Sequence, residues 1–218
     1  MRVLDAACER VEASNLILGG HFALKCYVDY RQTHDVDAWW PIQLEGRERQ
    51  ATVAMLQEII GRIAQADGLK MNERATGALV SLELGHSRRK KVFSVQVAER
   101  ERELEPPIES PWPPLQIETL RDNLASKMEA LVERGAPRDF IDARAVVERK
   151  IATLDELWQL WQQKRPETEL AQAKVRTRRH LEAIAARRPL ESLAKNEQER
   201  AAELRRWVQE ELAPLWTP

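Results

Sequence analysis

Hydrophobic and polar positions change their period several times along the 218-residue chain, and each change predicts an element. Residues 3–13 and 47–66 carry apolar residues at helical spacing, which predicts two amphipathic helices. From 69 to 98 the period shortens toward two, in ALVSLEL and KKVFSVQVAE. This alternation predicts two or three strands, joined by the charged turn GHSRRKK. Beyond residue 150 the pattern is helical to the end, so we expect an α+β fold with a C-terminal helical region.

The stretch from Asn15 to Trp40 has the pattern strand, two glycines, helix, strand. Glycines at a strand-to-helix turn let a phosphate approach the backbone, and the first helical N–H groups point at the anion. In a strand, residues two apart face the same side, so Asp35 and Asp37 project together and Val36 faces the core. Two carboxylates on one face can hold Mg²⁺ beside nucleotide phosphates. A pair of such ions activates an attacking hydroxyl and stabilises a leaving pyrophosphate.

A second block, residues 117–147, predicts two helices that meet at Gly135-Ala136-Pro137. Glycine suits a helix C-terminus, and proline suits the first turn of the next helix. Two pairs of charged residues each share a helical face: Lys127 with Arg134, and Asp139 with Asp142.

Together the two blocks resemble the nucleotidyltransferase (polymerase-beta-like) superfamily, and most of all its AbiEii/AbiGii-type toxin family. The first set of matching residues is Gly19, Gly20, Ala23, Leu24, Arg31, Thr33, Asp35 and Asp37. The second set is Lys127, Ala130, Leu131, Arg134, Arg138, Asp139 and Asp142. The resemblance implies a small mixed β-sheet core and transfer of NMP from an NTP to an RNA (tRNA) or protein hydroxyl.

The resemblance also implies roles for individual residues. Asp35 and Asp37 would be catalytic and hold Mg²⁺, and Lys127 would neutralise the triphosphate. Gly19, Gly20, Arg31 and Thr33 would bind the nucleotide. His21 either touches a phosphate or narrows the pocket. Asp139 and Asp142 either supply a further acid or pair with Arg134 and Arg138.

One feature departs from the family pattern. A third carboxylate is common in nucleotidyltransferases on the strand beside the paired aspartates, but VFSVQV carries Ser94 and Gln96 there. Either Glu99 serves, or an acid elsewhere serves, or the third ligand is lost. Gln96 can ligate a metal through its amide oxygen but cannot act as a base at neutral pH. The alternative hypothesis is therefore a catalytically impaired nucleotide sensor or scaffold within a defence complex.

Composition narrows the setting of this chemistry. The formal net charge of −1 gives no global signal for nucleic acid, and the six basic residues from 174 to 188 are the best local candidate. The alternative is a solvated helix paired with the acidic helix 197–211. Cys8 and Cys26 read as small core residues in a reducing compartment, and Val11 as an inward residue. No apolar run reaches membrane-spanning length, so we expect a cytoplasmic protein.

We predict three regions: a nucleotidyltransferase-like core at 1–103, a proline-rich connector with completing helices at 104–150, and a helical region at 151–218. Residues 104–114 read as an extended connector, and the core sheet should have four to five strands. The expected partners are an NTP, an RNA acceptor, and a cognate antitoxin or defence-complex protein, with no membrane.

Overall fold

A computed structural model describes residues 2–28, 30, 32–77, 79–87, 90–100 and 102–214. It divides the chain into two compact units, Met1–Asn123 and Leu124–Pro218. This division lies at 123/124, and the three predicted regions with boundaries at 103/104 and 150/151 remain a prediction. No helix in the described part is long and apolar enough to cross a membrane.

The first unit is built on one mixed sheet. Its longer strands are β2 Asp35–Trp39, β3 Lys70–Thr76, β4 Leu79–Ser87 and β5 Lys90–Ala98, and its short ones are β1 Ile17–Gly19, β6 Ile108–Glu109 and β7 Gln116–Ile117. The spatial order is β3-β4-β5-β2-β1-β7-β6. β2 therefore lies at the centre, antiparallel to β1 and parallel to β5. The predicted α+β class is confirmed.

Three helices of this unit are α1 Arg2–Ala7, α2 Gly20–Lys25 and α3 Gly46–Ala66. Helix α3 agrees with the predicted helix 47–66, and its side chains Leu56, Ile59 and Ile60 are buried. They join one apolar cluster with the inward residues of the sheet, among them Val36, Val95 and Val97. This burial removes apolar surface from water on one sheet face and leaves the other face for polar side chains.

Four predictions about this unit were wrong. The helix 3–13 ends at Ala7 and is followed by a 3₁₀ turn, Val11–Asn15, so Val11 is 79% exposed instead of inward. Cys26 is exposed, because it follows the last residue of α2 instead of lying on its apolar face. Within the described residues the sheet has seven strands instead of four to five. Two of them, β6 and β7, lie in or just after the segment predicted to be a connector, because β7 pairs with β1.

The second unit is helical. Helix α4 Leu120–Glu133 crosses the boundary between the units, and α5 Pro137–Glu148, α6 Leu154–Lys164, α7 Leu170–Arg187 and α8 Lys195–Trp207 follow, with a π-helical turn at Val208–Leu212. Trp158 and Trp161 of α6 pack edge to face at 5.9 Å between ring centroids. The indole N–H of Trp158 donates to the carbonyl of Leu212 at 2.9 Å, which ties the chain end to α6.

Candidate functional site

The two predicted aspartates lie on the central strand, on the face opposite the apolar core. Val36 between them is 5% exposed and belongs to the core cluster. Asp35 and Asp37 therefore share the other face, with their α-carbons about 7 Å apart along the strand. Asp37 lies opposite Gly19 of β1, and Asp35 lies opposite Ser94 of β5. This register brings the glycine turn and the aspartates together.

The glycine turn contacts the carboxylates so closely that side chains are excluded. Gly20 has φ +62°, in the left-handed region, and a β-carbon there would lie 2.1 Å from Oδ2 of Asp37. A β-carbon on Gly19 would lie 2.1 Å from Nε1 of Trp39. Only glycine meets both demands, since it has no β-carbon and adopts positive φ without strain. The missing β-carbons therefore leave room for the Asp37 carboxylate and the Trp39 indole directly against the backbone of the turn.

Trp39 supplies an unused donor at this turn. Its indole shares the face of the aspartates, since it lies two residues after Asp37 in the strand. Nε1 is buried and has no hydrogen-bond partner within the described residues. A buried donor without a partner costs free energy, so a ligand oxygen at this position would be stabilised.

Of the other predicted nucleotide residues, Thr33 and His21 lie in the described part of the chain. The Thr33 hydroxyl lies 3.2 Å from both the backbone N and the carbonyl O of Asp35, which supports the start of β2. His21 is 4% exposed, and its Nδ1 lies 3.2 Å from the Tyr30 hydroxyl. The imidazole of His21 therefore packs beside the phenol of Tyr30, with the ring planes at 88°. Arg31 lies outside the described residues.

Strand β5 supplies neutral oxygens and one ammonium to the aspartate face. Ser94 donates its hydroxyl hydrogen to Oδ1 of Asp35 at 2.7 Å. Lys91 Nζ lies 2.7 Å from the same Oδ1 and 3.3 Å from the Ser94 hydroxyl. Gln96 lies opposite Asp37 in the parallel register. The place beside Asp37 on β5 is thus taken by an amide.

Two other acids of this sheet, Glu99 and Glu83, lie away from the pair Asp35 and Asp37. Glu99 follows the end of β5 in the phase of the core residues Val95 and Val97, and its carboxylate pairs with Arg49. Glu83 lies opposite Ser94 on β4, two strands from Asp35, or about 10 Å by strand spacing. Among the described residues no group of three or more His, Cys, Asp or Glu side chains could hold a metal ion. The site is therefore a carboxylate pair with neutral oxygen neighbours.

A buried polar network holds the back of the glycine turn. Asn123 Nδ2 donates to the carbonyl of Gly20 and to Oε2 of Glu118, each at 2.9 Å. The guanidinium of Arg100 lies 3.3 Å from Glu118 and 2.8 Å from Asp122, and it also pairs with Glu103. The side chains of Glu118 and Asp122 are 0% exposed. Burial makes these charges depend on each other, since an unpaired buried charge is strongly destabilising.

Tyr27 joins this network from the chain just after α2. Its hydroxyl donates to the carbonyl of Glu118 at 2.8 Å. Burial raises the pKa of the Tyr27 phenol, and the nearby Cys26 and Glu118 raise it further. The phenol therefore stays protonated and remains a donor at neutral pH.

The second predicted block lies in the helical unit and consists of two ion pairs. Lys127 of α4 pairs with Asp142 of α5 at 2.9 Å, where Asp142 is 1% exposed. Arg134 binds Asp139 through two hydrogen bonds, at 2.9 and 3.0 Å. Asp139 also accepts the N–H of Ala136, at 2.9 Å. Of the two alternatives for Asp139 and Asp142, the structure shows the paired arrangement, with Lys127 as the partner of Asp142.

The turn between these helices is tightly packed. Gly135 has φ +50°, and a β-carbon there would lie 2.4 Å from His180 of α7. His180 Nε2 lies 3.0 Å from the carbonyl of Val132. Arg138 lies exposed in the first turn of α5. These contacts hold the α4–α5 turn against α7. Asp139 and Asp142 share one face of α5 because they lie three residues apart.

Three charged side chains of the basic stretch 174–188 make contacts within the helical unit. Lys174 lies 5.7 Å from the Trp158 ring centroid, and Arg176 pairs with Glu133 at 2.8 Å. Arg178 donates to the carbonyls of Gln209 and Ala213, at 3.1 and 3.2 Å. These contacts are structural, and they use an aromatic ring, a glutamate of α4 and carbonyls at the chain end.

Sequence reasoning missed three residues of the site. Lys91 was not considered because its position in the alternation assigns it to the core face. Asn123 lies inside a helical pattern that carries no signal for a contact with Gly20. Trp39 lies in an apolar run that is typical of packing residues, but the alternation that places Asp35 and Asp37 together also places its indole beside them.

Comparison with known proteins places the chain in a family. A model of the family described as nucleotidyl transferase AbiEii toxin, type IV toxin–antitoxin system, matches residues 2–213 of the chain. The comparison with curated proteins gives no match. The family match spans both units and includes the glycine turn, the paired aspartates and the Lys127 block. A toxin of such a system implies an antitoxin partner. The chain therefore belongs to the AbiEii nucleotidyl transferase toxin family.

Proposed function

We propose that this protein transfers a nucleotidyl group from an NTP to a hydroxyl of an RNA or protein acceptor. The observation that carries the proposal is the contact between the glycine turn and the paired aspartates. Gly20 lacks the β-carbon that would collide with Asp37, and Asp35 lies two residues away on the same face. A phosphate chain and the carboxylates that serve it can therefore lie side by side.

The residues present fit a divalent cation such as Mg²⁺. Asp35 and Asp37 offer carboxylate oxygens, and Ser94 and Gln96 offer neutral oxygens in the adjacent register. Mg²⁺ prefers such hard oxygen ligands, is often bound by one or two carboxylates, and keeps several waters. When bound, the ion would activate the acceptor hydroxyl and offset the charge of the departing pyrophosphate.

Donors of the chain would bind the phosphates. The indole N–H of Trp39 has no partner among the described residues and lies at the glycine turn, so it can donate to a phosphate oxygen. Lys127 supplies a positive charge for the triphosphate by resemblance to the family, with Asp142 holding its ammonium at 2.9 Å. Gln96 cannot take the proton of the attacking hydroxyl, so that proton goes to an aspartate or to water.

The acceptor is proposed from the family resemblance. By that resemblance the RNA class is tRNA. The proposed outcome of its modification is growth arrest, which the antitoxin relieves. In this proposal Lys174, Arg176 and Arg178 contribute little to RNA binding, because they already have partners within the helical unit. Arg179, Arg187 and Arg188 are exposed and remain as candidate contacts to an RNA backbone.

A second candidate function is a nucleotide sensor or scaffold in a defence complex. It is favoured by Gln96, which occupies the position beside Asp37 where a third carboxylate would complete the set. It is also favoured by His21, which lies buried against Tyr30 directly after the glycine turn. In this case the protein binds nucleotide with a divalent cation but transfers nothing.

One experiment separates the two functions. The full-length protein is incubated with each labelled NTP, Mg²⁺ and total RNA, and label is measured in the RNA and protein fractions. The double variant Asp35→Asn/Asp37→Asn removes both charges with little change in volume. The matched control is Glu73→Gln, which removes one exposed carboxylate from β3.

Label in RNA or protein that requires Asp35 and Asp37 but survives Glu73→Gln supports the transferase. Nucleotide binding that depends on Mg²⁺ without any label transfer supports the sensor. Transfer that persists in the double aspartate variant would overturn the assignment of the site.

A further inference from the structure

An irregularity in strand β5 turns Lys91 toward the aspartates. Leu84 pairs with Phe93 and Gly85 pairs with Lys91, so Val92 has no partner on β4. In regular alternation Lys91 would share the core-facing phase of Phe93 and Val95. One extra residue in a strand reverses the phase beyond it and re-aims a side chain. The ammonium of Lys91 thereby reaches the face that carries Asp35 and Ser94.

Lys91, Ser94 and Asp35 form a close three-way contact. Both the ammonium and the Ser94 hydroxyl lie 2.7 Å from Oδ1 of Asp35, and they lie 3.3 Å from each other. The Lys91 side chain is 40% exposed and that of Asp35 is 27% exposed. The ion pair is therefore open to solvent on one side, where an incoming ion can approach the carboxylate.

We propose that Lys91 is a built-in counter-ion of the carboxylate pair, which a divalent cation must displace from Asp35 in order to bind. The proposal rests on the proposed function in one respect, that Asp35 and Asp37 hold a divalent cation. It adds a residue that competes with the ion, and the family description assigns no such residue. Lys91 would lower the affinity for free metal and relieve the repulsion between two carboxylates in its absence.

The competition follows from charge and geometry. An ammonium and a divalent cation that use the same Oδ1 repel each other, and this repulsion is twice that between two single charges. The flexible stem of lysine and its exposure let the ammonium move into water at low cost. Removing the ammonium should therefore strengthen metal binding. If Lys91 instead positioned Asp35 for the metal, its removal would weaken metal binding.

The test measures Mn²⁺ binding to the nucleotide-free full-length protein, through the loss of the free-ion electron paramagnetic resonance signal. In Lys91→Met the dissociation constant for Mn²⁺ should fall about five- to tenfold. This is the effect expected when a partly exposed ion pair no longer competes with a doubly charged ion. Lys91→Gln, which keeps a polar head without charge, should shift it in the same direction. Thermal melting confirms that each variant is folded.

The matched control is Lys90→Met, which makes the same charge change at the neighbouring residue of β5. Its dissociation constant should change less than about twofold, since Lys90 is exposed and salt screens an exposed charge more than one held in an ion pair with the carboxylate. A double-mutant cycle adds Asp35→Asn. In that background Lys91→Met should have no effect of its own, because the group for which lysine and metal compete is absent.

The outcomes separate this inference from the proposed function. An unchanged or weaker Mn²⁺ affinity in both Lys91→Met and Lys91→Gln overturns the inference, and so does an equal gain in Lys90→Met. Stronger Mn²⁺ binding in the Lys91 variants supports it even if no NTP transfers label, which would count against the transferase alone. Label transfer by the wild type with no Lys91 effect on Mn²⁺ leaves the transferase standing and overturns the counter-ion.

Discussion

At the residue scale, the site depends on the missing β-carbon of Gly20 as much as on the carboxylate of Asp37. The positive φ of Gly20 and the 2.1 Å from its would-be β-carbon to Asp37 allow no other residue without movement. Asn123 then fixes the carbonyl of Gly20 from the other side. Turn, carboxylate and amide are therefore mutually dependent, and a change at one position disturbs the others.

Gly20→Ala should cost about 1–3 kcal/mol in the free energy of unfolding, since alanine is strained at this φ and contacts Asp37. Chemical denaturation measures the loss. The control is Gly61→Ala in the middle of α3, where an added β-carbon meets nothing within 4 Å. It should gain about 1 kcal/mol from helix propensity. A Gly20→Ala variant as stable as the wild type would refute the steric argument.

At the element scale, buried charges join the end of β5 to the segment that leads into α4. Arg100 follows β5 and meets Glu118 and Asp122, and the side chain of Arg100 is 4% exposed. The same network reaches Gly20 through Asn123. One polar cluster thus holds together the end of β5, the glycine turn and the start of α4.

Arg100→Met should destabilise the protein by about 3–5 kcal/mol, because it leaves buried carboxylates without their guanidinium. Arg2→Met is the control, since the Arg2–Asp67 pair is exposed, with side chains 62% and 39% accessible. It should cost at most about 1 kcal/mol. Urea denaturation compares the two variants, and equal losses would contradict the assignment of a buried network.

Helix α6 has its own start signal, and its stability should depend on pH. Thr153 Oγ1 accepts the N–H of Glu156 at 3.2 Å, and the Glu156 carboxylate accepts the N–H of Thr153 at 2.7 Å. The Thr153 hydroxyl also donates to the Glu156 carboxylate, at 2.8 Å. The bond from the Thr153 backbone N–H, followed by the bond from its hydroxyl, lowers the pKa of Glu156 from its ordinary value. A lowered pKa in the folded state stabilises above the unfolded value and is lost as pH falls through the folded value.

Thr153→Ala should therefore lower the melting temperature by a few degrees at pH 7, as expected for loss of a helix cap. The difference from wild type should shrink as pH falls below the ordinary pKa range of a glutamate, where Glu156 takes up a proton in the folded protein. Thermal melting from pH 7 to pH 3 by circular dichroism tests this. A difference that stays constant over that range would show that Glu156 has no part in the cap.

At the scale of the whole molecule, the family match covers both compact units. Lys127 has a structural role that must be separated from its proposed binding of the triphosphate. Its partner Asp142 is 1% exposed, so loss of Lys127 alone leaves a buried charge. Stability and transfer must therefore be measured on the same variants.

Lys127→Met should lose transfer and about 3–5 kcal/mol of stability, because Asp142 is left unpaired. The double variant Lys127→Met/Asp142→Leu removes both charges and should recover most of that stability. It should remain inactive if Lys127 binds the triphosphate. Transfer restored together with stability would show that the lysine serves the fold alone, and the labelled-NTP assay with denaturation decides between them.

Much of the site could be predicted because its signals are local. Alternation along Asp35–Trp39 sets which side chains share a face, and glycines at 19 and 20 mark the turn whatever the rest of the chain does. The helices α3, α4 and α5 followed from apolar periodicity and from Gly135 and Pro137. Local backbone preference and burial agree in these elements, so the pattern was sufficient.

The errors concern features that depend on distant partners. Val11 lies on an extension of a helical pattern, but the chain ends α1 at Ala7 and turns. Strands β6 and β7 are two residues long and exist because β7 adds to the edge of β1. Such short strands have no periodicity to read, since one pairing partner supplies the hydrogen bonds that define them.

The sequence by itself determined the fold class, the family, and the shared face of Asp35 and Asp37. It also determined that the strand beside them carries Ser94 and Gln96 in place of an acid. Only the tertiary structure decided that an unpaired Val92 turns Lys91 onto Asp35, that Asn123 fastens Gly20, and that Glu99 pairs with Arg49. These contacts join residues many positions apart through strand register and packing, which local patterns of hydrophobicity do not encode.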